Sequence, residues 1–239
     1  MRRIGKKLAR ILLRYSLQIF IRWRIRRNFP SSDFKGSFEK AGNLLGMRQE
    51  QWLWEHRDLI KGDVLDMSSP KSDHEFIYEL PNVKRVWVSD YARTEIGTPP
   101  NVTPVDITGD VAAVPSILPQ EAFDTALCLS ILEHCADPVQ MLRNLRTSLR
   151  PGGTLFVWTP FAYTDGHTGS AFPDYWRFTR QGLQLIAERS GLTVRDCGYF
   201  NDLSLYMRLA TGHVVSVPKG SWGVPVSNWM ICVNAANSV

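Results

Sequence analysis

The sequence predicts an α/β protein built on a doubly wound, mostly parallel seven-stranded sheet with helices on both faces. Apolar runs alternate with helical patterns from residue 62 onward, the order that a helix-covered parallel sheet produces. The 239 residues suit one sizeable α/β domain and fall short of two. With 44% apolar residues, 21% charged residues and ordinary Gly and Pro, a packed core is expected.

Three regions follow in order: a basic arm at 1–29, a linker and helix within 30–61, and the main domain at 62–239. In the arm, Ile4, Leu8, Ile11, Leu12, Tyr15, Ile19 and Trp23 recur at helical steps, with Lys6, Arg10 and Arg14 on the other face. The arm carries ten basic residues and no acid, leaving 18 basic against 23 acidic residues in the remainder, a net of −5. Arginines break its apolar runs, which excludes a secretory signal and a spanning helix. A helix lying on an anionic membrane surface explains both faces. A helix packed on the domain, a nucleic-acid arm and a mitochondrial presequence stay open, and the acidic body speaks against nucleic acid.

The stretch "NFPSSDFKG" (28–36) reads as a linker, and a helix near 46–60 uses Trp52, Trp54 and Leu59 as apolar contacts. Strands are expected at 64–66, 85–89, 102–106, 125–129, 154–158, 192–196 and 230–234, and helices near 72–80, 131–149, 180–190 and 202–211. Cys128, Cys135, Cys197 and Cys232 form no C-x-x-C pair, so a reduced, cytosolic protein without a metal or disulfide framework is expected. Ligands of such a sheet bind beyond the carboxyl ends of its strands, where strand order reverses.

Residues 123–161 hold Phe123-Asp124 before a strand, Leu132-Glu133-His134, Asp137-Pro138 and Leu149-Arg150-Pro151-Gly152-Gly153. Pro138 suits a first helical position, Leu142, Leu145 and Leu149 form a buried stripe, and the Pro-Gly-Gly turn ends the helix. In this order and spacing the chain resembles the class I S-adenosylmethionine-dependent methyltransferases, of the type 11-like kind. The run Asp174-Tyr175-Trp176-Arg177-Phe178-Thr179 is similar to one in a subset associated with cell-surface polysaccharide and glycan metabolism, and Thr179 is a suitable helix N-cap. The resemblance implies a Rossmann-like sheet with an antiparallel last hairpin, and S-adenosyl-L-methionine as cofactor.

It also implies roles for residues. Asp90 matches the acid that accepts hydrogen bonds from the ribose hydroxyls, as two carboxylate oxygens suit a vicinal diol; otherwise it caps the next helix. Asp110 with the Val111 amide matches the adenine contact, with Asp106 as the alternative acid. Asp66, Tyr91 and Ser130 complete the cofactor side. Where the family carries Gly-x-Gly-x-Gly after the first strand's acid, this chain reads Met67-Ser68-Ser69-Pro70-Lys71. Ser68 and Ser69 are then expected on the cofactor carboxylate, with Lys71 pairing with it. For the acceptor's proton, His167 ranks first as base, followed by Asp174, as its orienter or as the base itself, and His134, for which a structural or cofactor-side role is the favoured reading. Tyr163, Tyr175, Trp176 and Arg177 are expected on the substrate side, although Trp176 and Phe178 can equally be packing groups.

The expected function is O-methylation of a sugar, glycan or lipid-linked saccharide at the inner membrane face. The alternatives are a cofactor-free scaffold of the same fold and an RNA methyltransferase.

Overall fold

The structure is a computed structural model that describes residues 44–67, 75–91, 106–161, 173–200 and 227–235. The basic arm and the helix expected near 202–211 lie outside these residues. Seven strands, β1 (Gly62–Asp66), β2 (Val83–Asp90), β3 (Ile107–Thr108), β4 (Phe123–Leu129), β5 (Leu149–Pro160), β6 (Thr193–Phe200) and β7 (Ser227–Val233), form one sheet in the order β3-β2-β1-β4-β5-β7-β6. The pairs β1–β2, β1–β4, β2–β3 and β4–β5 are parallel. β7 is antiparallel to both of its neighbours, β5 and β6.

Successive strand residues point to opposite faces, and each face has its own core. On one, Leu65, Ala126, Cys128, Leu155, Val157 and Met230 meet Met141, Leu142 and Leu145 of helix α2 (Pro138–Ser148) and Leu183 and Ala187 of helix α3 (Arg180–Arg189). On the other, Val64, Val86, Leu127, Phe156, Trp158 and Ile231 meet Trp52, Leu53 and Trp54 of helix α1 (Leu44–Glu55), with Phe76 and Ile77 from a 3₁₀ turn (Glu75–Glu79). Trp52 sits among the rings of Phe156, Trp158 and Trp229, with centroids 5.3–5.5 Å away. The sheet is therefore covered on both sides, as expected of a doubly wound fold.

Several boundaries differ from the sequence expectation. Of the strand expected at 102–106, residues 102–105 lie outside the described set, and Asp106 stands just before β3. Asp106 precedes it because its side chain takes the place of a ladder carbonyl: its Oδ2 accepts from the Val88 amide at 2.9 Å while its own amide donates to Val88 O. The helix expected over 131–149 divides into a 3₁₀ turn (Leu132–His134) and α2, with the Asp137 carboxylate capping the Gln140 amide at 2.9 Å and Pro138 in the first turn. β5 begins at Leu149, five residues before the expected 154, because the Pro-Gly-Gly turn is absorbed as an irregular lead-in with Gly152 at φ 80°. Thr179 caps α3 through the Gly182 amide, as expected.

The amino ends of the central strands are tied by charge. Asp124 accepts from the Asp63 amide at 2.9 Å and from Arg150 Nη1 at 2.6 Å, and Arg150 also reaches Asp63 at 3.4 Å. Gly62 makes this approach possible: it has φ 66°, and a Cβ there would fall 2.1 Å from Asp124 Oδ2. We expect Gly62→Ala to cost more than about 2 kcal/mol in urea denaturation, since it adds left-handed strain and displaces the Asp124 carboxylate. A cost below about 0.5 kcal/mol would show that the ionic tie does not depend on that approach.

Candidate functional site

Strand order reverses at β1, with β2 and β3 on one side and β4 onward on the other. The carboxyl ends of β1 and β4 therefore flank the crevice in which ligands of such sheets bind. Asp66 closes β1 and is 3% exposed, and the Met67 amide just beyond it donates to Leu127 O at 3.2 Å. Ser130 leaves β4 at φ 55°, a left-handed conformation that is strained for a residue with a Cβ. It is held there by its amide, which donates to Trp158 O at 2.8 Å, while Gln49 Nε2 lies 3.5 Å from its hydroxyl.

Asp90 closes β2, half-buried, with its backbone carbonyl accepting from the Gly109 amide at 2.9 Å. Of the two acids proposed for adenine, Asp106 is committed to β2, pairing with Arg85 at 2.8 Å as well as with the Val88 amide. Asp110 is exposed and shapes its own turn, accepting from the Ala112 amide at 2.8 Å. Val111 is buried behind it. Tyr91, just past β2, is exposed.

A residue that the sequence reading overlooked holds this turn. Asn144, 5% exposed on the apolar face of α2, donates its Nδ2 to Val111 O at 2.7 Å and Ala113 O at 2.9 Å, while Gln140 supports its Oδ1 at 2.9 Å. An amide between Leu142 and Leu145 in an otherwise apolar stripe is the signal that could have revealed it.

The acceptor-side residues lie against the turn after β4. The Tyr175 amide donates to Glu133 O at 2.8 Å, Trp176 Nε1 donates to Cys135 O at 2.8 Å, and His134 Nδ1 donates to Pro173 O at 2.6 Å. That last bond places the His134 proton on Nδ1 and leaves Nε2 facing Glu133 Oε1 at 3.9 Å. Both carboxylate oxygens of Asp174 accept from Arg177. Tyr175 and Trp176 present exposed faces, and Trp176 stacks on the buried Phe178 at 28°. Ser68, Ser69, Lys71, Tyr163 and His167 lie outside the described residues.

Glu133 is the second overlooked residue. It is fully buried, and neither carboxyl oxygen has a hydrogen-bond partner in another residue among those described. Burial pushes its pKa up to about 8, and Asp174 adds to the rise; its own backbone amide and Arg177 act in the opposite sense. At neutral pH it is mostly the neutral acid. Burial likewise pushes the Cys135 thiol up to about 11. Among the described residues no three His, Cys, Asp or Glu side chains group as a metal site, and no helix is long and apolar enough to cross a membrane.

The carboxyl ends of the strands thus carry buried and half-buried acids and a strained serine, and an aromatic segment is fastened to the turn after β4. Carboxylates in this position fit the hydroxyls of a nucleoside. Residues 81–157 match the family model described as a methyltransferase domain. The chain is 35% identical over 79 residues to the tRNA U34 carboxymethyltransferase of Campylobacter curvus, covering 30% of this chain and 26% of that protein. It is 33% identical over 90 residues to the ubiquinone biosynthesis O-methyltransferase of Aeromonas salmonicida, covering 32% and 38%. The matched stretch spans well under half the length of these curated relatives. The fold is that of an S-adenosylmethionine-dependent methyltransferase from Archaeoglobus fulgidus, with TM-score 0.57, 13% identity, and coverage of 79% of this chain and 94% of that one.

Replacing Asn144 by Ala leaves the Val111 and Ala113 carbonyls without their donor, and we expect a loss of about 1–3 kcal/mol in chemical denaturation. An unchanged midpoint would remove Asn144 as the support of the Asp110 turn.

Proposed function

We propose that this chain is an S-adenosylmethionine-dependent methyltransferase whose cofactor lies across the carboxyl ends of β1 to β4. The observation that carries the reading is the convergence of Asp66, Asp90 and Ser130 on the switch point of a sheet with the methyltransferase strand order, within a chain whose residues 81–157 match a methyltransferase domain. Bound there, the cofactor supplies a methyl group activated by its sulfonium.

The chain's own residues have the following roles in this reading. Asp90 binds the ribose hydroxyls, Asp110 and Val111 meet the adenine, and Asp66 and Ser130 flank the path toward the reacting centre, with Tyr91 beside it. In place of the family's glycines, Ser68 and Ser69 offer hydroxyls and Lys71 a charge to the cofactor carboxylate. On the acceptor side, Asp174 holds Arg177 in place, and Tyr163, Tyr175 and Trp176 supply flat faces. A hydroxyl acceptor needs a base: His167 ranks first, with His134, whose Nδ1 is taken up by its bond to Pro173, as a further candidate through Nε2. Positioning alone supplies a large share of such a rate enhancement.

For the acceptor we favour a hydroxyl of a sugar, glycan or lipid-linked saccharide, met at a membrane surface through the basic arm. The exposed aromatic faces and the ten cations of residues 1–29 support this reading, and the O-methyltransferase relative supports a hydroxyl acceptor. RNA is the second reading, favoured by the tRNA-modifying relative. A cofactor-free scaffold is the third, raised by the loss of the loop glycines.

Calorimetric titration separates these readings. S-adenosylmethionine should bind the full chain, and Asp90→Ala should weaken it about ten- to a hundredfold through loss of charge-assisted hydrogen bonds. No binding up to millimolar would leave the scaffold reading. Steeply salt-dependent RNA binding, lost with residues 1–29, would favour RNA; capture by anionic vesicles, lost with the same truncation, would favour the membrane acceptor.

A further inference from the structure

The feature that the proposed chemistry leaves unused is the enclosed carboxyl of Glu133. Three hydrogen bonds fasten residues 173–176 to the turn 133–135 around it: Tyr175 amide to Glu133 O, Trp176 Nε1 to Cys135 O, and His134 Nδ1 to Pro173 O. The side chain is 0% exposed, and no other described residue offers either oxygen a hydrogen bond. Its charged or titratable surroundings are Cys128 on β4, His134 on its own turn, and Asp174 and Arg177 on the facing segment. Arg177, the cation that acts on it from that segment, spans both oxygens of Asp174. Ionised, the carboxyl would be a buried charge with no hydrogen bond from another described residue, facing a second carboxylate; such an arrangement is resolved by protonation or by opening to water.

We propose that Glu133 is a positioning residue whose un-ionised carboxyl seats the 173–177 segment against the β4 turn, so that loss of its proton loosens the segment carrying Tyr175, Trp176 and Arg177. For methyl transfer this rests on the reading above, because those three residues form the proposed acceptor side. The sign follows from linkage. With the seated form titrating near 8 and the ordinary value at 4.5, the seat is strongest below 4.5, weakens across that interval, and changes no further above about 8. Neutral pH falls inside the interval, so the segment's seating varies over the range in which a neutral-pH enzyme works.

The test is hydrogen exchange at the Tyr175 amide in the full chain, followed from pH 4 to 9 and corrected for intrinsic exchange. The expected protection factor falls by up to about tenfold per pH unit between 4.5 and about 8, then levels off. Glu133→Gln, which keeps the shape and cannot ionise, should remove the pH dependence. Asp174→Asn keeps Glu133 and provides a second reading should the first variant fold poorly: it removes the like charge, and the plateau should begin at lower pH. A flat profile in the unaltered chain, an unchanged profile in Glu133→Gln, or an unmoved plateau in Asp174→Asn would overturn the proposal. Binding of S-adenosylhomocysteine is measured on the same samples. If the exchange profile is as expected but this ligand does not bind, the proton-dependent seat stands and the methyltransferase reading falls.

Discussion

β1 hydrogen-bonds to a strand on each side, parallel to β2 and to β4, and the rest of the molecule is arranged by that double pairing. Because β2 and β3 leave on one side and β4 onward on the other, the carboxyl ends of β1 and β4 mark the switch point at which ligands of such sheets bind. The pairing needs the amino ends of the strands brought close. Gly62 at φ 66° allows the Asp124 carboxylate to reach the Asp63 amide, and Arg150 neutralises both acids. One end of the central strands is thus closed by charge, and the acids Asp66 and Asp90 close β1 and β2 at the other.

That division explains why polar burial concentrates where it does. Val64, Leu65, Ala126, Leu127 and Phe156 are completely buried along the middle of the strands, and of the buried acids among the described residues Asp66 and Glu133 lie at or just beyond the carboxyl ends while Glu50 lies on α1. Burying such groups is costly unless they are paired or functional. Asn144 serves the same end from below, since its side-chain amide satisfies two carbonyls of the Asp110 turn that no strand or helix would satisfy. The open groove between α3 and β6, lined by Gln184, Glu188, Arg195 and Asp196, has none of this support and lies at the far edge of the sheet.

The fold was legible in the sequence because its signals are local. Six of the seven apolar runs, the Asp137-Pro138 restart, the Pro-Gly-Gly turn and the Thr179 cap each depend on a few neighbouring residues, and each appears in the structure at or near its expected place, while the run at 102–106 lies mostly outside the described residues. Boundaries slipped where a side chain took over a backbone role, as Asp106 does beside Val88, or where a turn was absorbed into a strand, as at Gly152. The site was legible only in part. Acids at strand ends can be read from alternation, which placed Asp66 and Asp90, but the commitment of Asp106 to Val88 and Arg85 depends on contacts 18 and 21 residues apart. The roles of Glu133 and Asn144 stayed hidden because their importance lies in what faces them: a segment 42 residues downstream for one and a loop 33 residues upstream for the other.

The central claim is that the carboxyl ends of β1, β2 and β4, with the Asp110 turn, form one nucleoside-cofactor site. The most direct measurement is a map of backbone amide shifts by NMR as S-adenosylhomocysteine is added to the full chain. The account predicts that the largest changes fall at Asp66, Asp90, Val111 and Ser130, with the α3–β6 groove unmoved. Changes centred on Gln184 to Cys197, or none at saturating ligand, would contradict it.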